Sequence, residues 1–101
     1  MDIKTALHNR LKTTTKNTPM NRYAEARILG VSERTIRLLI TALREEGVRV
    51  CSDSSGRGYW IAEGEEDYKR FRAEYVSRAI NIFRTVNAMD NATEGQIGGL
   101  T

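Results

Sequence analysis

One cysteine, one proline, one histidine and no long apolar run mark this chain of 101 residues. Cys51 alone cannot close a disulfide within the chain, so a secreted scaffold stapled by cystines is excluded and a cytoplasmic protein is expected. No apolar stretch approaches the roughly 18 residues that span a bilayer, and the N-terminus has no apolar signal-peptide core, so no membrane partner is expected. His8 lies on an amphipathic segment far in sequence from Cys51. A zinc site built from these two residue types is therefore not expected, nor is any other metal or cofactor. No phosphate-binding glycine loop and no catalytic set is visible, which argues against an enzyme. The acidic run Glu63, Glu65, Glu66 and Asp67 stands at a helix start, where the helix dipole favours carboxylates without any cation.

What is present is enough for one ordinary domain. A hydrophobic content of 40% supports a modest core. Domains of this size bury only about two-thirds of the surface their unfolded chains expose, so stabilisation by a second copy is a natural supplement. The formal net charge of +3 conceals an asymmetry. Residues 1–62 carry 11 Lys and Arg against 6 Asp and Glu, whereas residues 63–101 carry 5 against 7. Cationic excess in the first part of the chain suits a polyanion, although it also serves solubility.

Helical spacing of Ile3, Ala6, Leu7 and Leu11, with Asp2 placed to cap, predicts a first helix over residues 2–11. The polar stretch 12–17 reads as a linker, and Pro19 keeps the chain extended before the next element. Asn21 caps a second helix that runs through Leu29 and ends at Gly30. Ser32 caps a third, from Glu33 to about Glu46, ended by Gly47. Residues 48–51 and 58–61 alternate as strands around a Ser-, Asp- and Gly-rich loop, 52–57, which predicts a hairpin. Because neighbours on a strand face opposite ways, Tyr59 and Trp60 are expected to divide, one inward and the other exposed or covered by the C-terminal helix.

The spacing Ala26, Gly30, Ile36 carries the most specific signal. It supplies a small residue where two helices cross, a glycine where the backbone turns and an apolar residue where the third helix docks. Ile36, Leu39, Ile40 and Leu43 fall on one arc of that helix, with Leu29 and Val31 around the crossing. Residues 24–37, AEARILGVSERTIR, resemble the helix-turn-helix of excisionase-like and deoxyribonucleoside-regulator-type proteins. Residues 42–62, ALREEGVRVCSDSSGRGYWIA, resemble the wing of repressors related to the N-terminal domain of the biotin-operon repressor, and also small phage-encoded winged-helix proteins. The resemblance covers roughly residues 20–62.

That resemblance implies a winged helix-turn-helix, mainly α with a small β-hairpin wing, that reads double-stranded DNA in a transcriptional regulator or an accessory factor of phage or mobile-element DNA. The residues it brings to DNA are Ser32, Arg34, Thr35, Arg37, Leu38, Thr41, Arg44 and, at the wing tip, Arg57. Arginine offers a fork to guanine or a charge-assisted contact to phosphate, and an arginine on a glycine-flanked tip can enter a minor groove. Two positions depart from the pattern. Leu38 is an exposed leucine where a basic residue is common, suited to a thymine methyl or to a protein surface. Glu25 replaces a usually apolar residue before Ala26, with Tyr23 or Ile28 expected to supply the missing core contact. The alternative function, which the same fold can host, is a protein-binding adaptor or an inhibitor of a host enzyme.

From Glu65 the chain reads as one long helix, about 37 Å to Met89 at 1.5 Å per residue. Tyr75, Ala79, Ile82, Val86 and Met89 recur at steps of four and three, the spacing of a coiled-coil seam, and Val76, Ile80 and Phe83 form a second seam beside it. One seam is expected to pack on the body or the first helix and the other to meet a second copy, making a homodimer. The expected organisation is a DNA-binding domain over 1–62, a dimerisation helix over 63–90 and a flexible tail over 91–101.

Overall fold

The computed structural model describes residues 1–100, with side chains through residue 92. The chain is mainly helical, with a small antiparallel sheet and a long C-terminal helix. Its elements are α1 (Ile3–Leu11), β1 (Met20–Asn21), α2 (Arg22–Leu29), α3 (Glu33–Glu45), β2 (Val50–Ser52), β3 (Gly58–Ile61) and α4 (Glu65–Leu100). It divides into two compact units, one over Met1–Phe71 and the other from Arg72 onward. The tail expected over 91–101 lies, from residue 93, outside the residues whose side chains are described.

The helix boundaries are those the capping residues dictate. Asp2 accepts from the Thr5 amide at 2.7 Å and starts α1. Asn21 accepts from the Tyr23 and Ala24 amides at 2.9 and 3.0 Å and starts α2. Each satisfies amides that a helix start leaves without a partner. Gly30, at φ 69°, ends α2 in the left-handed conformation, and the Val31 amide returns to the Ala26 carbonyl at 2.9 Å. Glycine takes that conformation without the penalty a Cβ would impose.

The core of the first unit joins α1 (Leu7, Leu11), β1 (Met20), α2 (Ala26), α3 (Ile36, Ile40, Leu43) and the sheet (Val50, Tyr59). Leu29, Val31 and Leu39 are half-buried against it, as the periodicity of α2 and α3 predicts. Two features differ from expectation. First, the sheet has three strands in the order β1-β3-β2, because Met20 and Asn21 pair with Tyr59 and Gly58. Two residues carry no period that a sequence pattern could register. Second, Tyr23 and Ile28 are exposed and do not replace the apolar residue missing at position 25. Glu25 is itself buried, 5% exposed, and Arg10 of α1 meets it with Nε and Nη2 at 2.5 and 2.9 Å. A two-pronged, charge-assisted contact of this kind makes burial of a carboxylate tolerable.

Tyr59 and Trp60 divide between the two faces as expected, and both are buried. Tyr59 joins the core, while Trp60, paired across the strands with Cys51, lies on the other face. The Trp60 indole donates to Asp67 of α4 at 3.0 Å. Arg49 stacks over Tyr68 at 4.0 Å, and Arg44 lies over Phe71 at 5.1 Å. The opening turns of α4 thus cover the second face of the sheet, so the compact unit runs on to Phe71. Burial pushes the Cys51 thiol up to about 11, leaving it a buried apolar group rather than a nucleophile. Among the described residues, no helix is long and apolar enough to cross a membrane.

In the second unit, every residue from 72 to 92 is exposed.

Candidate nucleic-acid interface

The helices α2 and α3 are joined by the short turn at Gly30, Val31 and Ser32, and α3 lies half-buried over the core. Its inner arc is Ile36, Ile40 and Leu43, which leaves Arg34, Arg37, Leu38 and Thr41 exposed on the outside. Ser32 and Thr35 are committed to the helix start. The Ser32 hydroxyl accepts from the Thr35 amide at 3.1 Å, and the two hydroxyls lie 2.9 Å apart. The Thr41 hydroxyl donates back to the Arg37 carbonyl at 3.1 Å, which still leaves its lone pairs facing solvent.

Arg22, the first residue of α2, connects three elements. Its Nη1 donates to the Gly56 carbonyl at 2.6 Å and its Nη2 to the Tyr23 hydroxyl at 3.1 Å. Its backbone amide donates to the Arg57 carbonyl at 3.1 Å. Nε approaches Glu33 Oε1 at 2.7 Å, and Arg37 Nε approaches the same oxygen at 2.8 Å. These two approaches are ionic rather than aligned hydrogen bonds, since Arg22 Nε and Glu33 Oε1 are buried without a hydrogen-bond partner. The hydrogen bond to Tyr23 leads the effects that hold the Arg22 pKa above its ordinary value. Through this one side chain the hairpin tip is tied to the first turn of α3. Arg34 follows Glu33 in the chain and Arg57 follows Gly56, the two points this side chain ties. No local pattern could have revealed Arg22 in this role, because its partners lie 11 and 34 positions away in the chain.

The hairpin tip is itself an ordered turn. Asp53 accepts from the Ser55 hydroxyl at 2.6 Å and the Gly56 amide at 2.9 Å. At Gly58 a Cβ would stand 3.1 Å from that of Pro19, so glycine is what lets β3 lie against the chain entering β1. The Ser55 hydroxyl first, and then backbone amides, hold the Asp53 carboxyl below its ordinary value of 3.8. A carboxyl lowered on folding contributes stability above its unfolded pKa and loses it as pH falls through the folded one. Protection of the Gly56 amide against hydrogen exchange is therefore expected to be level from neutrality down to about pH 4 and to fall in more acidic solution. In Asp53→Ala the amide keeps only its bond to the backbone carbonyl of residue 53, 3.0 Å away, so its protection should be lower than in the unsubstituted chain and independent of pH. Protection unchanged in that variant would remove Asp53 from the account of the tip.

The structure moves one expected DNA contact elsewhere. Arg44 donates from Nε to the Val50 carbonyl at 2.9 Å and from Nη2 to Ser52 Oγ at 3.3 Å, and its guanidinium lies over Tyr59 and Phe71. It fastens the end of α3 to β2, so its planar fork is turned to the sheet. Lys4, Arg10, Arg22, Arg37 and Arg49 each have a carboxylate partner. Among the described residues, Arg34 on α3 and Arg57 at the hairpin tip are exposed cations whose side chains have no such partner, as are Lys12, Lys16 and Arg27. Comparison with family models, with curated proteins and with solved structures gave no match.

Proposed function

We propose that this chain is a winged helix-turn-helix protein that binds double-stranded DNA as a homodimer in the cytoplasm, in a transcriptional regulator or a phage or mobile-element accessory factor. In this reading α3 is the recognition helix and the β2–β3 hairpin is the wing. The observation that carries it is the pair of uncommitted arginines, Arg34 and Arg57, held beside the two ends of the Arg22 contact network. Helix α3 offers Arg34, Leu38 and Thr41 to the major groove. Arg37 joins them with part of its charge balanced by Glu33, and Arg57 reaches a phosphate or the adjacent minor groove. Ser32 and Thr35 act mainly by capping the helix that presents these groups.

If about three basic residues per subunit meet phosphate, a dimer neutralises about six charges, and the log–log slope of affinity against salt is near −5. Arg34→Ala is expected to cost about 1–3 kcal/mol on a selected duplex and less on random DNA. Duplex selection from a random pool followed by salt titration tests both. Affinity independent of salt would overturn the proposal, and equal losses on both duplexes would reduce Arg34 to a phosphate contact.

Leu38 supports the second reading, a protein-binding adaptor or an inhibitor of a host enzyme, since it is 59% exposed in the middle of the outer face of α3. A stoichiometric protein partner lost in Leu38→Lys, with no duplex bound at low salt, is the outcome that would favour it.

A further inference from the structure

The exposed part of α4 carries its own pairing instructions. Ile82, Phe83 and Met89 are 63%, 69% and 63% exposed, more than isolated surface residues of this kind require explaining, because they lie together on one helix. We infer that residues 69–92 pair antiparallel with the same helix of a second copy, Tyr75 of each facing Val86 of the other and Ala79 facing Ile82. This deepens the homodimer proposed above and rests on that reading only for the existence of a dimer.

The argument is one of volume and charge. Steps of four and three set Tyr75, Ala79, Ile82, Val86 and Met89 on one seam, and the preceding step of three puts Arg72 on the same seam. In a parallel, in-register pair each of these residues meets itself. Two Arg72 guanidinium groups would then share the seam, Ala79 would face Ala79 across a gap, and like charges so placed oppose association. Reversing one helix about a point between Ile80 and Asn81 removes each conflict. Small then faces large, as Ala79 meets Ile82 and Val86 meets Tyr75. The Arg72 stem lies along Met89 with its charged end free to reach water. Beside the seam Val76 meets Phe83, and Lys69 meets Asp90, opposite in sign.

A concavity of about 300 Å³ lined by Arg78, Asn81, Ile82, Thr85 and Val86 lies where the Tyr75 ring of the second copy would enter. One face of a helix about 36 Å long and about 10–12 Å across offers on the order of 600–800 Å² to a partner, within the range that specific dimers bury per copy.

Cysteine cross-linking without DNA tests the pairing directly, so failure of DNA binding and failure of the pairing are read separately. Tyr75→Cys and Val86→Cys chains are refolded together under reducing conditions and oxidised mildly only once folded, and each is also oxidised alone. Cys51 is fully buried and gives no background. The inferred pairing makes the mixed disulfide the main product and leaves each variant alone unlinked. In that arrangement like positions stand about 16 Å apart along the axis, beyond disulfide reach. Sedimentation of the unsubstituted chain should give the mass of two copies. Self-linked Tyr75→Cys would show a parallel pair and overturn the inference. A monomeric mass, or a dimer that yields no mixed product, would overturn it equally.

Discussion

Ile36→Ala is expected to destabilise the first unit by about 3–4 kcal/mol, a large part of the roughly 5–15 kcal/mol that holds a domain folded. Ile36 has no solvent exposure and sits in the opening turns of α3, in the same cluster as Ala26 of α2 and Leu7 and Leu11 of α1. Truncation removes three carbons from contact on every side. The neighbours are fixed by caps at both ends of α2 and α3, so they cannot collapse into the space, and the cavity term adds to the transfer term. Leu38→Ala, two residues further along the same helix, should change stability by no more than about 0.5 kcal/mol, because Leu38 is already largely in water. Urea titration at one fixed protein concentration checks both, since the stability of a dimer depends on concentration. A loss under about 1 kcal/mol for Ile36→Ala would mean that α3 is not seated as described.

The second large effect concerns a polar contact under the same helix pair. Arg10→Met should cost about 3 kcal/mol, because it leaves the Glu25 carboxylate, whose side chain is 7% exposed, without its cationic partner. The Arg10 side chain is 44% exposed, so water relieves part of the penalty and the loss falls at the low end for a broken buried pair. The ordinary Arg10 pKa is raised by its hydrogen bonds to Glu25, which is the same coupling seen from the cation. Replacing both partners, Arg10→Met with Glu25→Leu, removes the buried charge and puts an apolar side chain in its place. The double variant is expected to recover most of the loss and to match or exceed the unsubstituted chain. Thermal unfolding of the three variants measures the coupling. A double variant no better than Arg10→Met would show that the pair contributes through geometry rather than by balancing charge.

The pair also explains how Glu25 departs from the pattern of its neighbours. From sequence, a carboxylate before Ala26 reads as a defect, to be repaired by Tyr23 or Ile28. Only the meeting of α1 with α2, 15 positions apart at the contact, shows that Arg10 makes Glu25 acceptable there. Arg44 shows the reverse case. Its position on α3 suits an outward contact, yet the return of the hairpin beneath the helix end captures its guanidinium. Leu38 remains exposed and retains the two uses its sequence position suggests.

By itself the sequence determined the local structure of this protein. Asp2, Asn21 and Ser32 fixed where three helices start, Gly30 and Gly47 where two end, and periodicity fixed which residues of α3 face inward. These are short-range effects, written within a few positions by backbone sterics, capping hydrogen bonds and the pitch of a helix. The tertiary structure decided what each charged group does. Of the cations in the basic first part of the chain, it tied Arg10 to Glu25, Arg44 to β2, and Arg22 to the hairpin tip and Glu33, and it left Arg34 and Arg57 without carboxylate partners among the described residues. A long side chain on a helix can reach several neighbours, and which one it meets depends on the packing of segments remote in sequence. For that reason the start and end of α3 could be read from the chain, while the chemistry of its outer face required the fold.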